Sequence, residues 1–428
     1  MSTRRDTVMM LAAQSFYRLS GFVLVMVLAR SLSAPEIGKF VFAMAFAESF
    51  VAIANFGMNS VMSRQVAADN LSARDRFAAV LGFRAASSAV YVVAVMSLAL
   101  IFTSASWQIM LAATLIALAE DTYFSFGSLF LSLRKATYNV TIGMTVQTAF
   151  VIVFLVMMTS RPSLWTLVAV NAFRVALLVF ISAWLTHVKL FRLHFSWDSR
   201  AVRLAVPFVM MAVVNALRDQ LGAVMIGMLS SYDQVAFYNL VMRVSAASLA
   251  IPTAVCAVLS PLIVAEGLNA ANRHRIKFAT ALILGFAFTG SVVIATLSEP
   301  VARILYGPLA GQTAPLLRIL SVMFPVSFMA LFASLTLQAL YREVHVLRTM
   351  IAVTLVYFVA NLVLIPQSGA RGAIVAQIIA VTLQLAILGW DLMKMLSANG
   401  QPVVRDSVAP LVLPTQMEEP RVPFDSNG

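Results

Sequence analysis

Cysteine is almost missing from this chain: Cys256 stands alone among 428 residues, so no intrachain disulfide can form, and its apolar setting makes it a packing residue. Histidine is nearly as scarce. His187, His194, His274 and His345 stand apart with no metal-ligand spacing, and no loop carries a Walker A sequence or a Ser/His/Asp grouping, so neither a metal nor a catalytic group is expected. Charge is the third shortage, at 11% of residues against about 25% in an ordinary soluble domain. That excludes a soluble globular fold for most of the chain. The charge that remains leans basic, +12 net with pI ≈ 10.3, but it lies between hydrophobic runs rather than on one face of a soluble module, so no nucleic-acid partner is expected.

Long hydrophobic runs are what the chain has instead. With 61% hydrophobic residues and mean hydropathy +0.90, it divides by the rule of about 20 apolar residues per crossing. About twelve spans result: 11–29, 40–62, 78–102, 108–131, 139–159, 164–186, 204–229, 237–265, 278–297, 313–340, 347–365 and 372–393. The expected fold class is an all-α integral membrane protein. Arg4 and Arg5 precede an apolar run broken by Arg18, with no convincing cleavage site after Gly21–Ala29, so no signal peptide is expected.

Lysine and arginine set the orientation. With the N-terminus inside, nineteen fall in cytoplasmic segments, among them Arg4, Arg5, Arg64, Arg134, Lys135, Arg200, Arg273, Arg342 and Lys394, while the outer side holds five, Arg30, Lys39, Arg161, Arg303 and Arg371. Both termini are expected in the cytoplasm, and most of the positive charge is a topology signal.

An internal echo divides the chain. Leu32-Ser33-Ala34-Pro35-Glu36-Ile37-Gly38-Lys39-Phe40 and the stretch Leu229 to Phe237 share Leu-Ser-small-x-acid-x-x-x-Phe at an offset of 197. Both join the first and second spans of a six-span half. An even number of spans between the copies makes the repeats parallel, related by a pseudo-two-fold axis along the membrane normal, with binding expected at their interface near the midplane. The expected organisation is a six-helix lobe over 1–186, a cytoplasmic linker 187–203, a second six-helix lobe over 204–393 and a disordered, proline-bearing cytoplasmic tail 394–428.

Arg18, Arg84, Arg174, Arg218 and Arg243 lie inside spans. A charge near the bilayer centre costs about 2.5–3.5 kcal/mol by insertion scales, so such residues face a bundle interior or a wet cavity. Five together point to an anionic passenger. Helical spacing puts Gln14 and Arg18 on one face of the first span, Glu48 and Asn55 on the second, Asn171 and Arg174 on the sixth, Asn215 and Arg218 on the seventh, and Asn239 and Arg243 on the eighth. The five arginines with Gln14, Asn55, Asn215 and Asn239 are the candidate substrate-binding residues. Four acids share the spans: Glu48, Glu120, Asp121 and Asp219. Two readings of them stay open, structural pairing with arginines or, for Glu48 and Asp219, uptake of a proton or sodium ion. Arg318, near an outer end, is expected to be a snorkelling anchor.

Several segments in order carry a family likeness over about residues 8–393: Tyr17-Arg18-Leu19, the stretch Ala29 to Phe40, Phe56-Gly57-Met58, Leu305-Tyr306-Gly307, Ala314 to Leu320, Gln338-Ala339-Leu340, and Ile365-Pro366 with Gly369 to Ala373. They resemble the polysaccharide flippases, the Wzx-like members of the multidrug/oligosaccharidyl-lipid/polysaccharide exporter superfamily. The resemblance implies a MATE-like fold of two six-helix lobes around a central cavity and no enzymatic activity. The implied passenger is an undecaprenyl-pyrophosphate-linked oligosaccharide, taken from the cytoplasmic to the outer leaflet of the bacterial inner membrane for O-antigen (lipopolysaccharide), capsule or exopolysaccharide synthesis. The implied partners are that lipid-linked oligosaccharide, membrane lipids, and a polysaccharide polymerase with its export machinery. Related flippases use cavity arginines for the pyrophosphate, a habit that Arg18 matches, and a guanidinium has the fork geometry for it.

Two rivals differ in what they require. Drug exporters of the superfamily often place an acid in the first or seventh helix for cation coupling; here the first has Arg18 and the seventh Asp219, so a cation-coupled multidrug exporter is the alternative. A membrane polymerase would display a sizeable outer loop with catalytic residues. The longest outer loop expected here, about 298–312, carries Glu299 and Arg303 and no histidine.

Overall fold

In lipid every backbone N–H and C=O must find a partner within its own segment, and helices achieve that. The computed structural model describes residues 16–17, 20–55, 73–133, 135–186 and 199–397, with no strand among them. Gln14, Arg18, most of the expected linker 187–203 and the tail beyond Ser397 lie outside the described residues. The first half holds α1 (Ser20–Ser31), α2 (Ala34–Asn55), α3 (Ala73–Phe102), α4 (Trp107–Ser132), α5 (Ala136–Ser160) and α6 (Leu164–Thr186). The second holds α7 (Ser199–Leu229), α8 (Tyr232–Ser248), α9 (Ala250–Glu266), α10 (Ala270–Thr296), α11 (Ser298–Tyr306), α12 (Ala310–Ser321), α13 (Met323–Ala339), α14 (Glu343–Ser368) and α15 (Ala370–Ser397).

Among the described residues nine helical stretches are long and apolar enough to cross a bilayer, α8 and α9 together forming one; the bent stretch α11–α13 makes a tenth. The remaining expected spans fall on α1 and α7. Their outer faces are apolar: Leu100, Phe180, Trp184, Val258 and Trp390 are each roughly 70% exposed, as side chains facing acyl chains should be.

Three expectations on element boundaries change. The span 237–265 begins earlier, at Tyr232, and breaks at Leu249, because Pro252 has no N–H to offer the carbonyl of Ser248. The expected loop 298–312 is instead α11, a 3-10 turn over Gly307–Leu309 and the start of α12. Ser298, Ala302 and Tyr306 recur at a spacing of four and are buried, and the Tyr306 hydroxyl donates to the Leu240 carbonyl at 2.9 Å. Of the expected linker, residues 199–203 are helical and belong to α7.

The pairing scheme of the first half recurs in the second. α2 packs on α4, α4 on α6, α5 on α6 and α3 on α4; correspondingly α8 and α9 pack on α12 and α13, α13 on α15, α14 on α15 and α10 on α13. Contact between the halves runs extensively through α2, against α7 and α8.

The two echo segments meet at one end of that contact. Ser33 precedes α2: its N–H and hydroxyl both donate to Glu36 Oε2, at 3.1 and 2.6 Å, the carboxylate arm of a capping box, which satisfies the N–H at the helix entry. One turn on, a Cβ at Gly38 would stand 1.7 Å from the Tyr232 carbonyl oxygen. Only glycine allows this approach. The Phe42 ring lies 5.6 Å from the Tyr232 ring and fills the space a Cβ at Gly227 would take. Arg30 Nη2 reaches across to the Ile304 carbonyl at 2.7 Å. The halves are thus closed against each other at this end.

Candidate substrate site between the halves

Past the closed end, α2 turns Glu48 toward α7. Gln220, Ala223 and Gly227 form the stripe of α7 that faces α2, and Gln220 Nε2 donates to Glu48 Oε2 at 2.6 Å. This bond joins the halves roughly two thirds of the way along both helices. Around Glu48, within electrostatic range, stand Glu120 and Arg174 from the first half and Asp219 and Arg243 from the second. Charges of both signs therefore collect around Glu48, beside the contact between the halves.

The arginines fall into two groups. Arg84 on α3 is buried and ion-paired to Asp121 on α4, with Asn55 Nδ2 donating to the other oxygen of that carboxylate at 3.3 Å. Arg174 on α6 donates to both oxygens of Glu120 at 3.1 and 3.2 Å, its guanidinium 5.3 Å from the centre of the Phe150 ring. These two carry neutralising carboxylates. Arg218 and Arg243 hold neutral partners instead: Arg218 Nη2 donates to Gln384 Oε1 at 2.5 Å and Arg243 Nε to Asn239 Oδ1 at 3.4 Å. A guanidinium bonded to an amide keeps its full charge and spare donors.

The polar faces read from helical spacing are there, but they do not all turn the same way. The Asn215/Arg218/Gly222 face of α7 turns toward its own half: a Cβ at Gly222 would meet the hydroxyls of Tyr238 and Tyr357 at 2.4 and 2.6 Å, and Arg218 reaches α15. Asn215 and Asp219 are exposed on α7. Asn171 gives its amide to the Leu167 carbonyl at 2.9 Å. Gln14 and Arg18 lie outside the described residues. Gln220, Gln384, and Gln377, which accepts from the Tyr238 hydroxyl at 2.9 Å, were not singled out by spacing; their signal is a glutamine amide inside a span, which is costly without a partner. Among the described residues no cluster of His, Cys, Asp and Glu could hold a metal ion.

The architecture is that of a multi-pass, all-α membrane protein. It is similar to the lipid II flippase MurJ in its inward closed conformation, at 13% identity, TM-score 0.75, and 89% of this chain against 87% of that one. A multidrug resistance MATE family transporter of the MOP superfamily in its inward-facing conformation gives 12%, 0.64, 90% and 94%. A MOP superfamily transporter from Pyrococcus furiosus, described as having reversed binding-pocket polarity, gives 13%, 0.62, 91% and 94%. The chain belongs to the family of polysaccharide biosynthesis proteins, whose model matches residues 3–266. No curated protein sequence matches it.

Proposed function

We propose that this protein is a flippase that carries an undecaprenyl-pyrophosphate-linked oligosaccharide from the cytoplasmic to the outer leaflet of a bacterial inner membrane. It would work by alternating access between a lobe of residues 1–186 and a lobe of 204–393, joined by 187–203. Family membership supports the sugar, and the recurring helix pairings support the lobes. The carrying observation is Arg243, exposed on α8 beside Glu48 and bonded, among the described residues, only to the neutral amide of Asn239. Charge-assisted, bidentate bonds to a pyrophosphate are open to such a group, and Arg218 offers a second. With the termini cytoplasmic, as the Lys and Arg asymmetry favours, the end closed by Gly38 and Tyr232 faces outward and the passenger enters from the other end.

The test is translocation of a fluorescent lipid-linked oligosaccharide by the protein in vesicles. Arg243→Ala should abolish it at normal membrane levels, and Arg243→Lys should restore it in part. Parental rates in both Arg243→Ala and Arg218→Ala would end this reading.

A cation-coupled small-molecule exporter is the second reading, favoured by two acids, Glu48 and Asp219, that form no ion pair among the described residues. It expects Glu48→Gln or Asp219→Asn to flatten the pH dependence of transport with insertion intact. An unchanged pH profile in both variants removes it.

A further inference from the structure

At the closed end of the molecule, away from the site between the halves, α11, α12 and α15 enclose a cavity of about 590 Å³ whose lining includes Glu299, Arg303, Arg318 and Arg371. Glu299 is occupied by Arg303, one turn along α11, at 2.5 Å. Arg318 and Arg371 are exposed, and their guanidinium groups have neither an ion pair nor a hydrogen bond among the described residues. Three guanidinium groups around one carboxylate repel each other unless an anion sits between them. Two helix N-termini add partial positive charge to the same walls: α12 starts at Ala310 and α15 at Ala370, both beside the cavity. A Cβ at Gly311, in the first turn of α12, would meet nothing within 4 Å, so that turn is open to a ligand. Close along the chain to Glu299, Arg303 and Arg318 stand the apolar residues Leu297, Ile304 and Val322, which are 48%, 63% and 59% exposed.

We propose that this cavity binds a phosphate group, supplied in the membrane by the headgroup of an anionic lipid whose acyl chains lie along Leu297, Ile304 and Val322. Arg318 and Arg371 donate to the phosphate oxygens, and Arg303, held by Glu299, borders them. The occupant then bears on the contact between the halves, because α11 carries Arg303 and also the Ile304 carbonyl that Arg30 holds from the first half. The site is separate from the passenger's site and requires no turnover to be observed.

The experiment is lipid retention and thermal stabilisation of the purified full chain titrated with phosphatidylglycerol, with phosphatidylcholine and with inorganic phosphate. Phosphatidylglycerol should be retained and should raise the melting temperature, and phosphatidylcholine should do neither. The double variant Arg318→Gln/Arg371→Gln should weaken the phosphatidylglycerol effect about ten-fold or more, the size expected for losing charge-assisted bonds. Arg348→Gln, the same charge change at an exposed position of α14, should leave it intact. Full retention by the double variant, or equal retention of phosphatidylcholine, overturns the proposal. Stabilisation by inorganic phosphate to the same extent, lost in the double variant, overturns the lipid as the source and keeps the phosphate site.

Discussion

Gly38→Ala tests the closed end directly. The added Cβ would fall 1.7 Å from the Tyr232 carbonyl oxygen, 2.5 Å from its carbon and 3.0 Å from its Cα. All three are backbone atoms, so no side-chain rotation relieves the overlap. To reach even 3.0 Å, the start of α8 has to move away from α2 by more than about 1.3 Å. Overpacking of this kind costs about 1–3 kcal/mol, which shifts the balance between closed and open forms roughly 5- to 150-fold toward open. The readout is the labelling rate of Ala236→Cys by a membrane-impermeant maleimide, in a chain whose own Cys256 is replaced by alanine. Ala236 is fully buried one turn after Tyr232, so it reacts only when the end opens. Gly285→Ala is the control, since a Cβ there meets nothing within 4 Å. Labelling of Ala236→Cys should rise with Gly38→Ala, and transport should fall. Equal labelling in the Gly38 and Gly285 variants, with both inserted at parental levels, would refute the argument that glycine is needed for closure.

Arg84→Ala should lower thermal stability by about 3–5 kcal/mol, because it leaves the Asp121 carboxylate buried without its cation; a loss under about 1 kcal/mol in detergent melts would show that water reaches the pair. Glu48→Ala breaks the hydrogen bond that joins α2 to α7 through Gln220 and should speed proteolysis at the contact between the halves, whereas Glu48→Gln, which still accepts from Gln220, should not. The proposed orientation expects outside maleimide to reach cysteines at the exposed positions Ser104, Ser231 and Ser368 and not at His274 or Tyr341; labelling of the second pair in intact cells inverts it.

The spans are legible because lipid imposes one length and one composition on every crossing. Their interruptions are less so. A proline such as Pro252 is tolerated in many membrane helices, and only the coordinates show that here it parts α8 from α9. The stretch 298–312 reads as a loop because Gly307, Pro308 and two charges dilute its apolar character, while its buried spacing of four residues spans only two turns. The intramembrane arginines are equally plain in the sequence, but their partners are not. Asp121 lies 37 residues from Arg84 and Gln384 lies 166 from Arg218, and helical periodicity gives a face without naming the neighbour it meets. The echo at 32–40 and 229–237 is readable as repetition; that its two copies touch, through Gly38 and Tyr232, depends on how the halves are docked.

The make-up of α2 bears on how the two halves would move under the proposed alternating access. Of its twelve buried residues, Ala34, Gly38, Ala43, Ala45, Ala47, Ser49, Ala52 and Ala54 are small. Within a bilayer no hydrophobic force drives one helix onto another, and smooth, small-residue surfaces adhere only by close van der Waals approach. Where such a surface meets the start of α8, at Gly38, it has few rotamers to reset. Under the proposed alternating access α2 would therefore act as a low-friction bearing for the second half, with Phe42 in the notch at Gly227 as its one large knob there. A bearing of this kind is sensitive to roughness rather than to lost adhesion. Enlarging a side chain along α2 should therefore slow the turnover of the protein more than shortening one does.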